Sequence, residues 1–199
     1  MKKSKLIAPE QTKLGHFTEI AQAGAGSLPF VGGLVNGVLN SVFPSELEKR
    51  RAIWEKEVSE KLNGLDLNKL LDDDAFLSLL ILSTEAARRT HKLDKIKRLG
   101  NTLKNFNIVE SYDLKQKFLQ WLDEFTDYEF ILFETISTHT DLTYHEILSS
   151  VFGHGNPLQN IVMENVQALK QLVKSTGKKG ENRALEFTEV GEQFWAYCS

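Results

Sequence analysis

His145-Glu146 opens like the first half of the His-Glu-x-x-His helix that binds zinc, where two imidazoles one turn apart hold the metal and the glutamate acts as base. Ser149 stands where the second histidine is needed, so that metal face is missing. His139 and His154 flank the segment at loop-like positions. Asp72-Asp73-Asp74 has no second ligand cluster at a defined spacing, and it stands where a helix begins. N-capping and neutralisation of the helix dipole explain that triplet. There is no Gly-x-Ser-x-Gly elbow, and Gly177-Lys178 has Leu172, not glycine, five residues before it, so no phosphate loop forms there. The lone cysteine, Cys198, is penultimate, a position seldom held rigidly enough for a nucleophile. These residues predict no enzyme, no cofactor and no metal site.

Charge is the chemistry that remains. From Arg88 to Lys104 seven bases stand against one acid, Asp94, a local net of +6. Leu93, Ile96, Leu99 and Leu103 recur at helical spacing in the same stretch, which predicts a helix with an apolar stripe and a basic outer surface. A solvated face is the bland reading of such a run. The functional reading is a docking face for a phosphate-rich or acidic macromolecule, carried by Arg88, Arg89, Lys92, Lys95 and Arg98. Without interleaved aromatics it is not a stacking platform for single strands.

The opposite extreme lies upstream. Ile20 to Ser45, 26 residues, contains no charge, and Gly24, Gly26, Ser27 and Pro29 break it in two. Its second piece, Leu28 to Phe43, places Phe30, Val31, Leu34, Val35, Val38 and Leu39 at helical spacing against Gly33, Asn36, Gly37, Asn40 and Ser41. A helix of that length spans about 24 Å, short of the ~30 Å hydrocarbon core of a bilayer, so a simple transmembrane helix is not expected. Two readings stay open: a helical hairpin buried in the core, or a membrane-active hairpin whose apolar face is a membrane or partner surface. In style the stretch is similar to fusion peptides and to the leading helices of pore-forming cell-death effectors.

The middle of the chain is helical. Ser45-Glu46-Leu47-Glu48 has the form of a capping box and predicts a helix to about Gly64, with Leu47, Trp54, Val58 and Leu62 on its packed face. Phe76, Leu77, Leu80, Ile81, Thr84 and Ala87 predict a second helix buried over most of its surface, and an aromatic-rich helix follows from about Ser111 to Phe125.

Start signals organise the C-terminal third. Thr126-Asp127-Tyr128-Glu129 and Thr143-Tyr144-His145-Glu146 are capping boxes, Asn156-Pro157 is an N-cap with proline in the first turn, and Thr188 precedes a last short helix. Helices over 127–138, 144–152 and 157–174 are then followed by a turn, a strand at Ala184–Phe187 and the final helix. The tail from Gly180 to Glu192, with Arg183 before an alternating strand and then Thr188-Glu189-Val190-Gly191, resembles the wing and following helix of MarR-type regulators. That resemblance implies a winged-helix module in which 157–174 is the helix offered to DNA, with Gln167, Lys170 and Lys174 outward. Residues 126–199 hold five bases and ten acids, so charge opposes phosphate contact and favours a protein partner.

The whole chain, 199 residues with 24 bases and 27 acids, is of soluble globular composition and has no global basic footprint. One cysteine and an apolar N-terminal stretch that stops at Pro9 predict a cytoplasmic protein. The expected architecture is mainly α: a helical bundle over 1–125 with an uncharged helical hairpin, and a winged-helix-like module over 126–199 with a small β-hairpin. The expected function is a non-catalytic interaction or regulatory protein docking another macromolecule, a protein before a nucleic acid. The alternatives are a membrane-perturbing effector using 20–45 and a DNA-binding transcription regulator.

Overall fold

Apolar side chains recurring at three- and four-residue intervals make the chain mainly helical, with one small two-stranded antiparallel sheet near the C-terminus. The structure, a computed structural model, describes residues 33–42, 47–139, 142–153, 171–176 and 184–199. It divides into two compact units, Met1–Lys104 and Asn105–Ser199.

In the first unit the order is α1 (Gly33–Val42), α2 (Glu48–Leu62), α3 (Leu67–Leu71), α4 (Asp74–Arg89) and α5 (Leu93–Lys104). Ser45 lies outside the described residues, and α2 has Leu47 at its N-cap with no side-chain bond, in place of the expected Ser45 box. Its inner face is Trp54, Val58 and Leu62, as the spacing predicts, whereas Leu47, expected with them, is half-buried at the N-cap. Burying an indole requires a partner for its N–H, and Trp54 Nε1 donates to Thr84 Oγ1 of α4 at 3.1 Å while Thr84 donates onward to Leu80 O. The Asp72–Asp74 triplet caps α4: the Asp73 carboxylate accepts from the amides of Ala75 and Phe76. α4 buries Phe76, Leu79, Leu80, Ser83, Thr84, Ala86 and Ala87, whereas Leu77 and Ile81 sit half-buried at its margin. α5 packs closely on α2 because Gly100 has no side chain; a Cβ there would lie 2.7 Å from Glu57 Cγ.

The second unit begins with a 3-10 turn, Phe106–Ile108, and continues through α6 (Tyr112–Glu124), α7 (Asp127–Thr138), α8 (Tyr144–Phe152), β1 (Val173–Thr176), β2 (Ala184–Phe187) and α9 (Glu189–Cys198). α6 lies in this unit and turns Phe118 and Trp121 toward Phe194, with ring centroids 5.4 and 6.1 Å away. Phe194 is the hub of the unit's core, with ring centroids also 5.7 Å from Phe125 and 5.6 Å from Phe133. Edge-to-face contacts of this kind add to the area buried. Lys115 is buried with its ammonium 3.5 Å above the Phe106 ring, a cation over a π face.

Both C-terminal capping boxes form, Thr126 with Glu129 and Thr143 with Glu146, and they start α7 and α8 where the sequence places them. The hairpin pairs Val173 with Phe187 and Thr176 with Ala184. Residues 173 and 174, expected at the end of a helix, are therefore strand, since their amides and carbonyls are taken up by the partner 184–187. The hairpin is locked to α9 at one point. Thr188 N donates to Leu172 O at 2.9 Å, the Thr188 hydroxyl bonds Gln171 O and accepts from Gly191 N, and a Cβ on Gly191 would sit 1.9 Å from Leu172 O.

Candidate functional site

Arg88 and Arg89 close α4, Lys92 stands in the turn, and Lys95 and Arg98 follow on α5, so the candidate basic face is a helix–turn–helix corner of the first unit. The α4 C-terminus leaves carbonyls without helical partners, and cations are favoured there by the helix dipole. Arg50, from α2, donates through Nη1 to Arg88 O and brings a further guanidinium to the corner. The sequence reading misses Arg50 because its link to the corner spans 38 residues; the one hint is its place one turn before the buried Trp54. Arg89, Lys92, Lys95 and Arg98 each have interaction partners within the chain. Lys97 lies 3.7 Å from Asp94, an exposed pair.

The apolar stripe of α5 holds at Ile96, Leu99 and Leu103 but not at Leu93, which is 56% exposed. Helical side chains lean toward the N-terminus, so the first residue of α5 projects past the packed part of the helix. The corner thus carries an apolar side chain among bases.

The second candidate face divides. Val35, Val38 and Leu39 are buried in the core of the first unit, where α1 packs on α4. Leu34 lies in α1, and Phe30 and Val31 lie outside the described residues. Among the described residues no helix is long and apolar enough to cross a membrane. Of the remaining candidate docking-face residues, Gln167, Lys170 and Arg183 lie outside the described residues. Lys174 is exposed on β1, opposite Glu186 and 3.8 Å from its carboxylate.

Charge separates along the chain more sharply than the reading at 125 suggests. Residues 1–104 hold 17 bases and 13 acids, net +4, and residues 105–199 hold 7 bases and 14 acids, net −7. Guanidiniums and ammoniums at the corner can pair carboxylates or phosphates. Elsewhere, His91 and His139 are exposed, with His139 Nδ1 2.8 Å from Thr138 Oγ1. Cys198 is buried, its thiol donating to Phe194 O. Among the described residues no group of three or more His, Cys, Asp or Glu is placed to hold a metal ion. No protein-family model, curated protein or solved structure matches the chain.

Proposed function

We propose that this chain is a non-catalytic regulatory protein of the cytoplasm that docks another macromolecule, with the basic corner of its first unit as the principal surface. The observation that carries the proposal is the set of cations at the end of α4, where Arg50 of α2 donates to the backbone carbonyl of Arg88 and Arg89 and Lys92 follow in the chain. Dipole compensation accounts for one or two cations at a helix end, and Arg50 supplies one through the Arg88 carbonyl; Arg88, Arg89 and Lys92 add to the positive potential beyond that need.

A winged-helix-like second unit is part of the proposal. It is supported by the order α7, α8, β1, β2, α9, by the antiparallel hairpin and by the Thr188–Gly191 lock that seats α9 against it. Its net charge of −7 favours a protein partner over nucleic acid, because phosphate contact dominates affinity for DNA. Burial of Val35, Val38 and Leu39 supports an interior role for the described part of the uncharged run.

Affinity capture from extracts of the source cell tests the reading. Wild-type chain and Arg88→Glu/Arg89→Glu, both shown folded by circular dichroism, are compared at equal loading. Partner proteins held by the wild type and lost from the variant are the expected outcome; an identical set on both contradicts it.

A further inference from the structure

Leu93 separates a merely charged corner from one built for a particular kind of partner. It is 56% exposed, while the rest of its stripe, Ile96, Leu99 and Leu103, is buried. Its neighbours in the chain are Lys92 and Asp94, and Ile53 of α2, 42% exposed, lies one turn after Arg50, the residue that reaches this corner. We infer that the corner takes an acidic segment of a partner protein that offers carboxylates to the bases and an apolar recess to Leu93. This rests on the docking reading above and names the chemistry of the partner.

Three observations favour a protein over other polyanions. Asp94, with a side chain 91% exposed, stands next to Leu93. A lipid surface would have to take that carboxylate among anionic headgroups as Leu93 entered, whereas a protein interface places it on a polar rim, paired with Lys97 as it already is. Between Arg88 and Lys104 there is no Phe, Tyr or Trp to stack on bases, and phosphates give Leu93 no counterpart. The chain's net charge of −3 supplies no long-range attraction to a dense polyanion, so recognition depends on contacts within a Debye length of about 8 Å.

Fluorescence anisotropy of the full chain with two labelled peptides of equal length and charge tests this. One peptide carries glutamate and serine, the other glutamate and leucine at helical spacing; phosphatidylcholine vesicles containing phosphatidylserine and a short DNA duplex are run beside them. The glutamate–leucine peptide is expected to bind about tenfold more tightly than its serine counterpart, the size of effect that burying one leucine supports. Leu93→Ser, a change at an exposed position, should abolish that preference, and Arg88→Glu/Arg89→Glu should weaken both peptides. Equal affinity for the two peptides, a preference that survives Leu93→Ser, or binding to vesicles or duplex alone would overturn the inference and leave docking standing. A wild-type chain that binds no anionic probe would overturn both.

Discussion

Thr143 and Glu146 show how much a single residue pair settles. The Glu146 carboxylate accepts from the Thr143 hydroxyl at 2.7 Å and from the Thr143 amide at 2.8 Å, and these bonds, the hydroxyl's first, hold its pKa below the ordinary value. The ionised form is favoured in the folded chain, so the contribution is present above the unfolded-state pKa and is lost as pH falls through the lower folded one. Thr143→Ala removes the hydroxyl donor. A carboxyl-carbon NMR titration should then show the Glu146 midpoint moving up; an unchanged midpoint would deny that Thr143 sets it. Residues of this kind were legible in the sequence because Thr-x-x-Glu is a local device whose partners are three positions apart. Arg50 and Leu93 were not legible, because the role of each depends on a neighbour that only the packed helices supply.

At the scale of elements, the helices bounded by local signals follow the sequence closely. α7 spans Asp127–Thr138 and α8 Tyr144–Phe152, the bounds that the sequence predicts, with the starts set by their capping boxes. β1 does not follow: Val173 continues the helical spacing of Val166 and Leu169, and only pairing with a strand eleven residues further on makes it extended. Local periodicity competes there with a tertiary hydrogen-bond ladder, and the ladder wins. The join between hairpin and final helix rests on Gly191, where a methyl group would meet the Leu172 carbonyl at 1.9 Å. Gly191→Ala should therefore lower stability by about 2 kcal/mol, an overpacking cost against backbone that cannot swing aside. Urea unfolding followed by circular dichroism measures this, and a midpoint within error of the wild type would show that the hairpin and α9 are not locked at that point.

At the scale of the whole molecule, composition conceals the feature that matters. A net charge of −3 is the sum of a +4 half and a −7 half, and in the positive half Arg88, Arg89, Lys92, Lys95 and Arg98 follow one another around the helix corner that Arg50 reaches. Position-resolved charge in the sequence locates the run from Arg88 onward; it does not reveal that Val35, Val38 and Leu39 face α4, since a buried helix and a membrane-seeking one share the same apolar pattern. The central claim is that this corner is where another macromolecule docks. Its most direct test is site-specific photo-crosslinking in living cells from His91, exposed in the turn between α4 and α5, compared with Asn68, exposed on α3 near the other end of α4. A discrete protein adduct from His91 and none from Asn68 is the predicted result; no adduct from His91, or the same adducts from both positions, would contradict it.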